Sequence, residues 1–167
     1  IENDILSINI ESYSEFERIA KISEQLNKSV NCALRVNPDI AIGSHKYIET
    51  GSKTSKFGLY SEAVNKISDE ARDNKLVNIT SVACHIGSQI SDENLILKSL
   101  DVISEIANNL SLNGHAIKFL DIGGGLGIQY KDEKEGDPGI LMAGIKKRLA
   151  GKEYKIILEP GRSIIGS

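Results

Sequence analysis

The sequence predicts an α/β fold, a partial (β/α)8 barrel of about five parallel strands with alternating helices, and two observations support this prediction. Short apolar runs alternate strictly with segments of helical periodicity, and such alternation implies parallel strands joined by helical crossovers. Polar or glycine-rich residues follow the last four apolar runs. Residues pooled at the ends of consecutive strands are typical of a barrel, whereas the alternative, an open doubly wound sheet, binds its ligand at one switch point.

The first half of the chain contains three predicted strands and two predicted helices. Residues 4–10 are apolar at positions 6, 8 and 10, which indicates a strand. Ser12, with Glu15 three residues later, is typical of a helix N-terminus, and this helix ends at Asn27. A long polar segment over residues 39–58 is expected to be functional or disordered. The other predicted elements are a strand at 30–36, a helix at 61–74 and a strand at 77–84.

The second half continues the alternation. Asp92 caps a helix that ends at Asn113, and the later elements are a strand at 117–122, a short helix at 140–149 and a strand at 154–158. Five strands are too few to close a barrel, and Ile1 is not an initiator methionine. We therefore expect a single incomplete domain over residues 1–167, roughly five-eighths of a barrel, with a cut at its start.

Composition and charge exclude several classes of protein. A formal charge of −3 provides no basic surface for nucleic acid, and no apolar segment is long enough to span a membrane. Cys32 and Cys84 both lie in predicted buried strands, which favours reduced thiols over a disulfide. Reduced thiols in turn favour a cytoplasmic location.

A glycine triplet follows the fourth predicted strand at Gly123, Gly124 and Gly125. Glycine allows close approach of the backbone, and successive N–H groups of such a loop can bind phosphate. The dinucleotide fingerprint does not fit, because its third glycine would fall at Ile128 or Tyr130. The segment at residues 51–54 does not fit a P-loop either, because a serine separates glycine from lysine. Two interpretations of the glycine triplet remain: a phosphate-binding loop of another kind, or a tight turn without a ligand.

Other polar residues near strand ends could carry chemistry. His85 could form structural hydrogen bonds or lie against a ligand, and no metal is expected because no Cys or His recurs at ligand spacing. Ser88 is a turn residue or a donor to phosphate. Glu159 follows an apolar strand, so we expect it to be partly buried; it could pair with Arg162 or face a protonated ring nitrogen of a cofactor. Arg35 is expected to be paired and to support the site indirectly.

Five motifs, in this order, resemble those of the fold-type III pyridoxal-phosphate-dependent decarboxylases. They are Arg-Val-Asn-Pro at 35–38, Ser-Lys-Phe-Gly at 55–58, Cys-His-Ile-Gly-Ser-Gln at 84–89, Asp-Ile-Gly-Gly-Gly-Leu-Gly at 121–127 and Glu-Pro-Gly-Arg at 159–162. Gln89 and residues 126–128 are more similar to the diaminopimelate branch than to the ornithine and arginine branches. The resemblance implies an alanine racemase-like barrel that binds pyridoxal 5'-phosphate.

The implied activity is decarboxylation of meso-2,6-diaminopimelate to L-lysine, in lysine biosynthesis. Three alternatives remain: a basic or diamino acid decarboxylase of the ornithine or arginine type, a non-catalytic barrel that binds pyridoxal phosphate, and a phosphate-binding barrel without this cofactor. The resemblance further implies a small amino-acid substrate and, when the protein is complete, a homodimer with shared sites.

The resemblance also implies a role for each site residue. The phosphate would be held by Ser88, Gly123, Gly124, Gly125, Gly161 and Arg162. The catalytic pair would be His85, which would stack on the pyridine ring, and Glu159, which would keep the ring nitrogen protonated. The Arg162 side chain would bind a substrate carboxylate, because a guanidinium group matches its geometry.

Two features of the family are missing from this sequence. The Schiff-base lysine of the family lies in a Tyr-Ala-x-Lys type motif on an early strand, and no such motif occurs here. The C-terminal β-domain that completes the partner subunit's site is also absent. We therefore expect this chain to bind part of the cofactor and to be inactive alone.

Overall fold

In the computed structural model, residues 1–38 and 57–166 are described, and within them five strands alternate with five helices. The strands are β1 Ile8–Ile10, β2 Val30–Arg35, β3 Val77–Ala83, β4 Phe119–Asp121 and β5 Lys155–Ile157. The helices are α1 Tyr13–Leu26, α2 Ser61–Asp73, α3 Glu93–Leu112, α4 Pro138–Arg148 and α5 Arg162–Ile165. Most of the predicted polar segment, residues 39–56, lies outside the described residues, and so does the first half of the motif at 55–58.

The strands form one parallel sheet in the order β1-β2-β3-β4-β5. Each strand pairs with its neighbours in sequence; for example, Ser81 of β3 pairs with Phe119 of β4, which in turn pairs with Lys155 of β5. An open doubly wound sheet would contain a point where the strand order reverses. The sequential order is that of a (β/α)8 barrel, and the predicted fold class is confirmed.

The core lies between the sheet and the helices around it. Leu34, Val82 and Leu120 pair side by side on β2, β3 and β4 and have no exposed surface. Cys32 and Cys84 are buried and free, as predicted, and burial raises the pKa of each thiol to about 12.

Side-chain caps fix the starts of three helices. Ser12 and Glu15 form the predicted capping box at α1, and Asp92 accepts the backbone N–H of Asn94 at 3.0 Å at the start of α3. Helix α4 begins at Pro138, two residues before the predicted start at Ile140. The reason is that Asp137 caps this end and proline is well tolerated in the first turn of a helix.

The predicted first strand is longer than the observed one. Only residues 8–10 pair with β2, and Ile5 and Leu6 are both 54% exposed. Asp4 has a positive φ of 49°, which is incompatible with continuation of a strand. Helix α5 was not predicted, because its four residues are too few to show a helical period.

Within residues 1–38 and 57–166, no helix combines the length and the apolar character needed to cross a membrane.

Candidate functional site

The carboxyl ends of β3, β4 and β5 surround one cavity of about 260 Å³. Its lining includes every residue that the sequence assigned to the cofactor, namely His85, Ser88, Gly123, Gly124, Gly125, Glu159, Gly161 and Arg162. Leu141, Met142 and Leu158 add apolar walls. Because parallel strands present the same end to one rim, segments far apart in sequence meet here.

The glycine triplet allows three strand ends to approach one another. A Cβ atom on Gly124 would lie 2.1 Å from the carbonyl oxygen of Glu159, and one on Gly125 would lie 2.1 Å from that of Gly87. Gly123 has a positive φ of 66°, which favours glycine. The close approach that the triplet predicts is therefore, in this structure, an approach to the backbone of the neighbouring strand ends.

The backbone N–H groups of the triplet have different partners. Gly123 donates to Oδ1 of Asp121 at 2.8 Å, and Gly124 donates to Nδ1 of His85 at 3.4 Å. Across the part of the chain that the structure describes, the N–H of Gly125 donates to no other group. Gly125 thus supplies the amide of this loop that remains available to a ligand.

His85 is half-buried beside this loop. Burial lowers the pKa of its imidazole, and the positive charge of Arg35 lowers it further, while the negative charge of Glu159 acts in the opposite direction. Because Nδ1 accepts the Gly124 N–H, the neutral ring carries its proton on Nε2. A neutral imidazole is suited to stacking on a heteroaromatic ring.

Glu159 is exposed, so the prediction that it is partly buried was wrong. It follows β5, the last strand of the described sheet, and the two isoleucines of this strand are themselves only partly buried. Among the described residues it forms no ion pair with Arg162. The Arg162 guanidinium instead donates to Oε1 of Gln89 at 3.5 Å.

Arg35 lies outside the cavity lining, at the end of β2. Its Nη1 atom is 2.6 Å from Oε1 of Glu11, and its guanidinium carbon is 5.9 Å from the ring centroid of Phe57. It is therefore paired, as predicted. Its effect on the site is electrostatic, through the pKa of His85.

Sequence reasoning assigned no separate role to two residues of this region. Asp121 is 7% exposed, and burial raises the pKa of its carboxyl to about 6. The sequence does contain one indication of this residue, because Asp121 is an acidic residue inside an apolar strand. Gln89 has a positive φ of 60°. Its side-chain amide donates to the carbonyl oxygen of Ile128 and accepts the N–H of the same residue. Nothing in the sequence indicates this backbone conformation.

The donors around the cavity fit an anionic cofactor. In residues 1–38 and 57–166, the N–H groups of Gly125, Gly161 and Arg162 and the hydroxyl of Ser88 form no hydrogen bond with the protein, and all four residues line the cavity. Converging backbone N–H groups bind phosphate, and the apolar walls suit an aromatic ring. The fold and the site define a segment of a parallel α/β barrel with a cavity at its strand ends, and the donors that line this cavity fit a phosphate group.

Comparison with known proteins identifies the family. The family described as pyridoxal-dependent decarboxylase, pyridoxal binding domain, matches residues 1–166. The chain belongs to this family. The family's description names pyridoxal, which confirms the predicted cofactor.

Individual relatives match over nearly the whole chain. Diaminopimelate decarboxylase of Aquifex aeolicus is 40% identical over 168 residues, which is 100% of this chain and 40% of the relative. The enzyme of that name from Neisseria meningitidis serogroup A is 38% identical over 160 residues, 95% of this chain and 39% of the relative. The crystal structure of diaminopimelate decarboxylase from Helicobacter pylori complexed with L-lysine has a TM-score of 0.91 at 35% identity, covering 96% of this chain and 41% of that one. The chain thus spans about 40% of the length of the curated relatives it matches.

Proposed function

We propose that the full protein is a pyridoxal-phosphate-dependent decarboxylase that converts meso-2,6-diaminopimelate to L-lysine, and that this chain is the part that binds the phosphate and the ring. The observation that carries the proposal is the convergence of eight residues from three strand ends on one cavity. Sequence identity of 40% over the whole chain to a diaminopimelate decarboxylase supports the substrate. The family's lysine and β-domain would then belong to parts of the protein outside these 167 residues.

The phosphate would be held mainly by backbone donors. The N–H groups of Gly125, Gly161 and Arg162 and the hydroxyl of Ser88 are the groups that the protein leaves without partners in its described residues. Gly123 and Gly124 would act through the shape of the loop, because their own N–H groups are bonded to Asp121 and His85.

His85 and Glu159, which both line the cavity, would hold the ring. Pyridoxal phosphate supplies an electron sink for the carbanion left when CO₂ departs. Glu159 would hold the proton on the ring nitrogen, because a carboxylate stabilises a cation close to it. His85, whose pKa is lowered, would stack as a neutral ring and so would not oppose that protonation.

Arg162 would bind a carboxylate of the substrate. Its guanidinium carries five N–H donors in a planar fork, and in the structure it donates through Nη1 to Gln89. The remaining donors are sufficient for a bidentate contact with a carboxylate. Diaminopimelate carries a carboxylate at each end, whereas ornithine and arginine carry one.

A homodimer and a cytoplasmic location are further parts of the proposal. The family resemblance supports the homodimer. The two free, buried cysteines support a reducing compartment.

The test is a substrate panel on the full-length protein loaded with pyridoxal phosphate. We expect CO₂ and lysine from meso-diaminopimelate, and no CO₂ from ornithine, arginine or lysine. Consumption of another diamino acid while diaminopimelate is untouched would refute the substrate. Bound-cofactor absorbance with no turnover of any substrate would indicate a non-catalytic pyridoxal phosphate protein, and absence of that absorbance would indicate a phosphate-binding barrel of another kind.

A further inference from the structure

We propose that Asp121 is a positioning residue of the cofactor site, whose buried carboxylate holds the glycine loop in the shape that orients His85 and leaves the Gly125 N–H for the phosphate. This inference rests on the proposed function. It concerns a residue that is not part of the cavity lining.

The anchor of the loop is the last residue of β4. Asp121 is 7% exposed, and its Oδ1 accepts the N–H of Gly123 at 2.8 Å. Its own carbonyl oxygen accepts the N–H of Cys84 at 2.8 Å, which ties the same residue to the end of β3. A hydrogen bond to an ionised carboxylate is roughly twice as strong as a neutral one. Asp121 therefore fixes the first residue of the loop from a rigid, buried position.

The hydrogen bond between Asp121 and Gly123 sets the directions of the N–H groups of Gly124 and Gly125. With its N–H held by Asp121, Gly123 has a φ of 66°, and the chain turns so that the Gly124 N–H donates to His85 at 3.4 Å. Gly125 follows with a φ of 100° and lines the cavity. Loss of the Asp121 acceptor would leave the buried Gly123 N–H without a partner, and the loop would have to rotate to satisfy it.

The surroundings leave little room for such a rotation without loss of the site. A Cβ atom at Gly123 would lie 2.8 Å from Nδ1 of His85, and one at Gly125 would lie 2.1 Å from the carbonyl oxygen of Gly87. A shift of the loop therefore displaces His85 or the backbone before Ser88. The carboxylate of Asp121 thus acts on both the ring-binding and the phosphate-binding sides of the cavity.

The test compares Asp121→Asn and Asp121→Ala in the full-length protein, with Asp92→Ala as the matched control. Asp92 makes the same contact with the N–H two residues later, at 3.0 Å to Asn94, but at the start of α3 and away from the cavity. The first readout is the dissociation constant for pyridoxal phosphate. The second is the ¹⁵N NMR signal of His85, which reports whether Nδ1 still accepts a hydrogen bond.

We expect binding to weaken about 10- to 100-fold in D121A, from the loss of a hydrogen bond to a charged group, and about 3- to 10-fold in D121N, which keeps a neutral acceptor. The His85 Nδ1 signal should shift in D121A. D92A should bind within a factor of two of wild type, although it loses helix stability.

A purely structural role for Asp121 would give a different result. If D121N, which is nearly isosteric, folds and binds the cofactor within a factor of two of wild type, the inference is refuted whether or not D121A folds. Failure of the wild type itself to bind pyridoxal phosphate would instead refute the proposed function on which the inference rests.

Discussion

Nδ1 of His85 accepts the backbone N–H of Gly124 at 3.4 Å. A backbone N–H can only donate, so this contact places the proton of the neutral imidazole on Nε2. Burial and the nearby Arg35 both lower the pKa of the ring. Through this contact the glycine loop, which would hold the phosphate, also sets the tautomer of the neutral imidazole that would hold the ring.

The ionisation of His85 gives the first prediction. Because the positive charge of Arg35 lowers the pKa of His85, Arg35→Met should raise it, and a ¹⁵N NMR titration would measure the change. His115 serves as an internal control, since its pKa is lowered by burial and by Arg72 rather than by Arg35. An unchanged His85 titration in R35M would contradict this electrostatic account.

The glycine loop gives a second prediction, on stability. Gly124→Ala should destabilise the fold by about 1–3 kcal/mol, because its Cβ atom would lie 2.1 Å from a backbone oxygen of Glu159. Gly161→Ala is the matched control: apart from its chain neighbours, no atom of the described residues lies within 4 Å of its Cβ position and its φ is −88°, so its effect should stay below about 0.5 kcal/mol. Urea unfolding measures both. Equal stability of the two variants would be inconsistent with close packing of the strand ends.

Glu159 gives a third prediction, which separates catalysis from folding. Glu159→Gln should reduce turnover by about 100-fold or more, because a neutral amide does not hold a proton on a ring nitrogen. The free energy of unfolding should change by less than about 0.5 kcal/mol, since the side chain is exposed and makes no ion pair among the described residues. Glu153→Gln, on an exposed residue just before β5, should leave both quantities unchanged. Full turnover in E159Q would exclude the assigned role.

The buried carboxyl of Asp121 gives a fourth prediction, on pH. Burial raises its pKa to about 6, Glu159 raises it as well, and the Gly123 N–H and Arg35 lower it. The ordinary value is 3.8, so between about pH 4 and pH 6 the folded protein binds this proton more tightly than the unfolded chain. The contribution of Asp121 to stability therefore falls as the pH rises through this range.

The comparison with Asp121→Asn isolates this effect. The free energy of unfolding of wild type minus that of D121N should decrease from about pH 4 to about pH 6 and then level off. A difference that is constant over this range would mean that the carboxyl titrates with an unshifted pKa.

The sequence predicted the order of the elements because each depends on local pattern. The capping box at Ser12 and Glu15 fixed the start of α1, and the alternation of apolar runs with amphipathic segments implied parallel strands. The limits of β1 were less predictable, since a strand is defined by its partner and only residues 8–10 pair with β2. Helix α5 was too short to produce a period.

In the site, too, some features could be predicted from the sequence and others depend on the tertiary structure. The motifs identified the eight residues that the structure places around one cavity. The exposure of Glu159 could not be predicted, because it depends on β5 being the last strand of the described sheet. The contact between Asp121 and Gly123 and the left-handed conformation of Gln89 are also invisible in the sequence.

The sequence by itself determined the alternating fold, the chemical groups of the site and their position at strand ends, because periodicity and residue type are properties of short segments. Only the tertiary structure decided which N–H groups of the glycine loop are already bonded, which carboxylate is buried and which is exposed. These properties depend on backbones and charges that lie far apart in sequence and meet only when β3, β4 and β5 pack side by side.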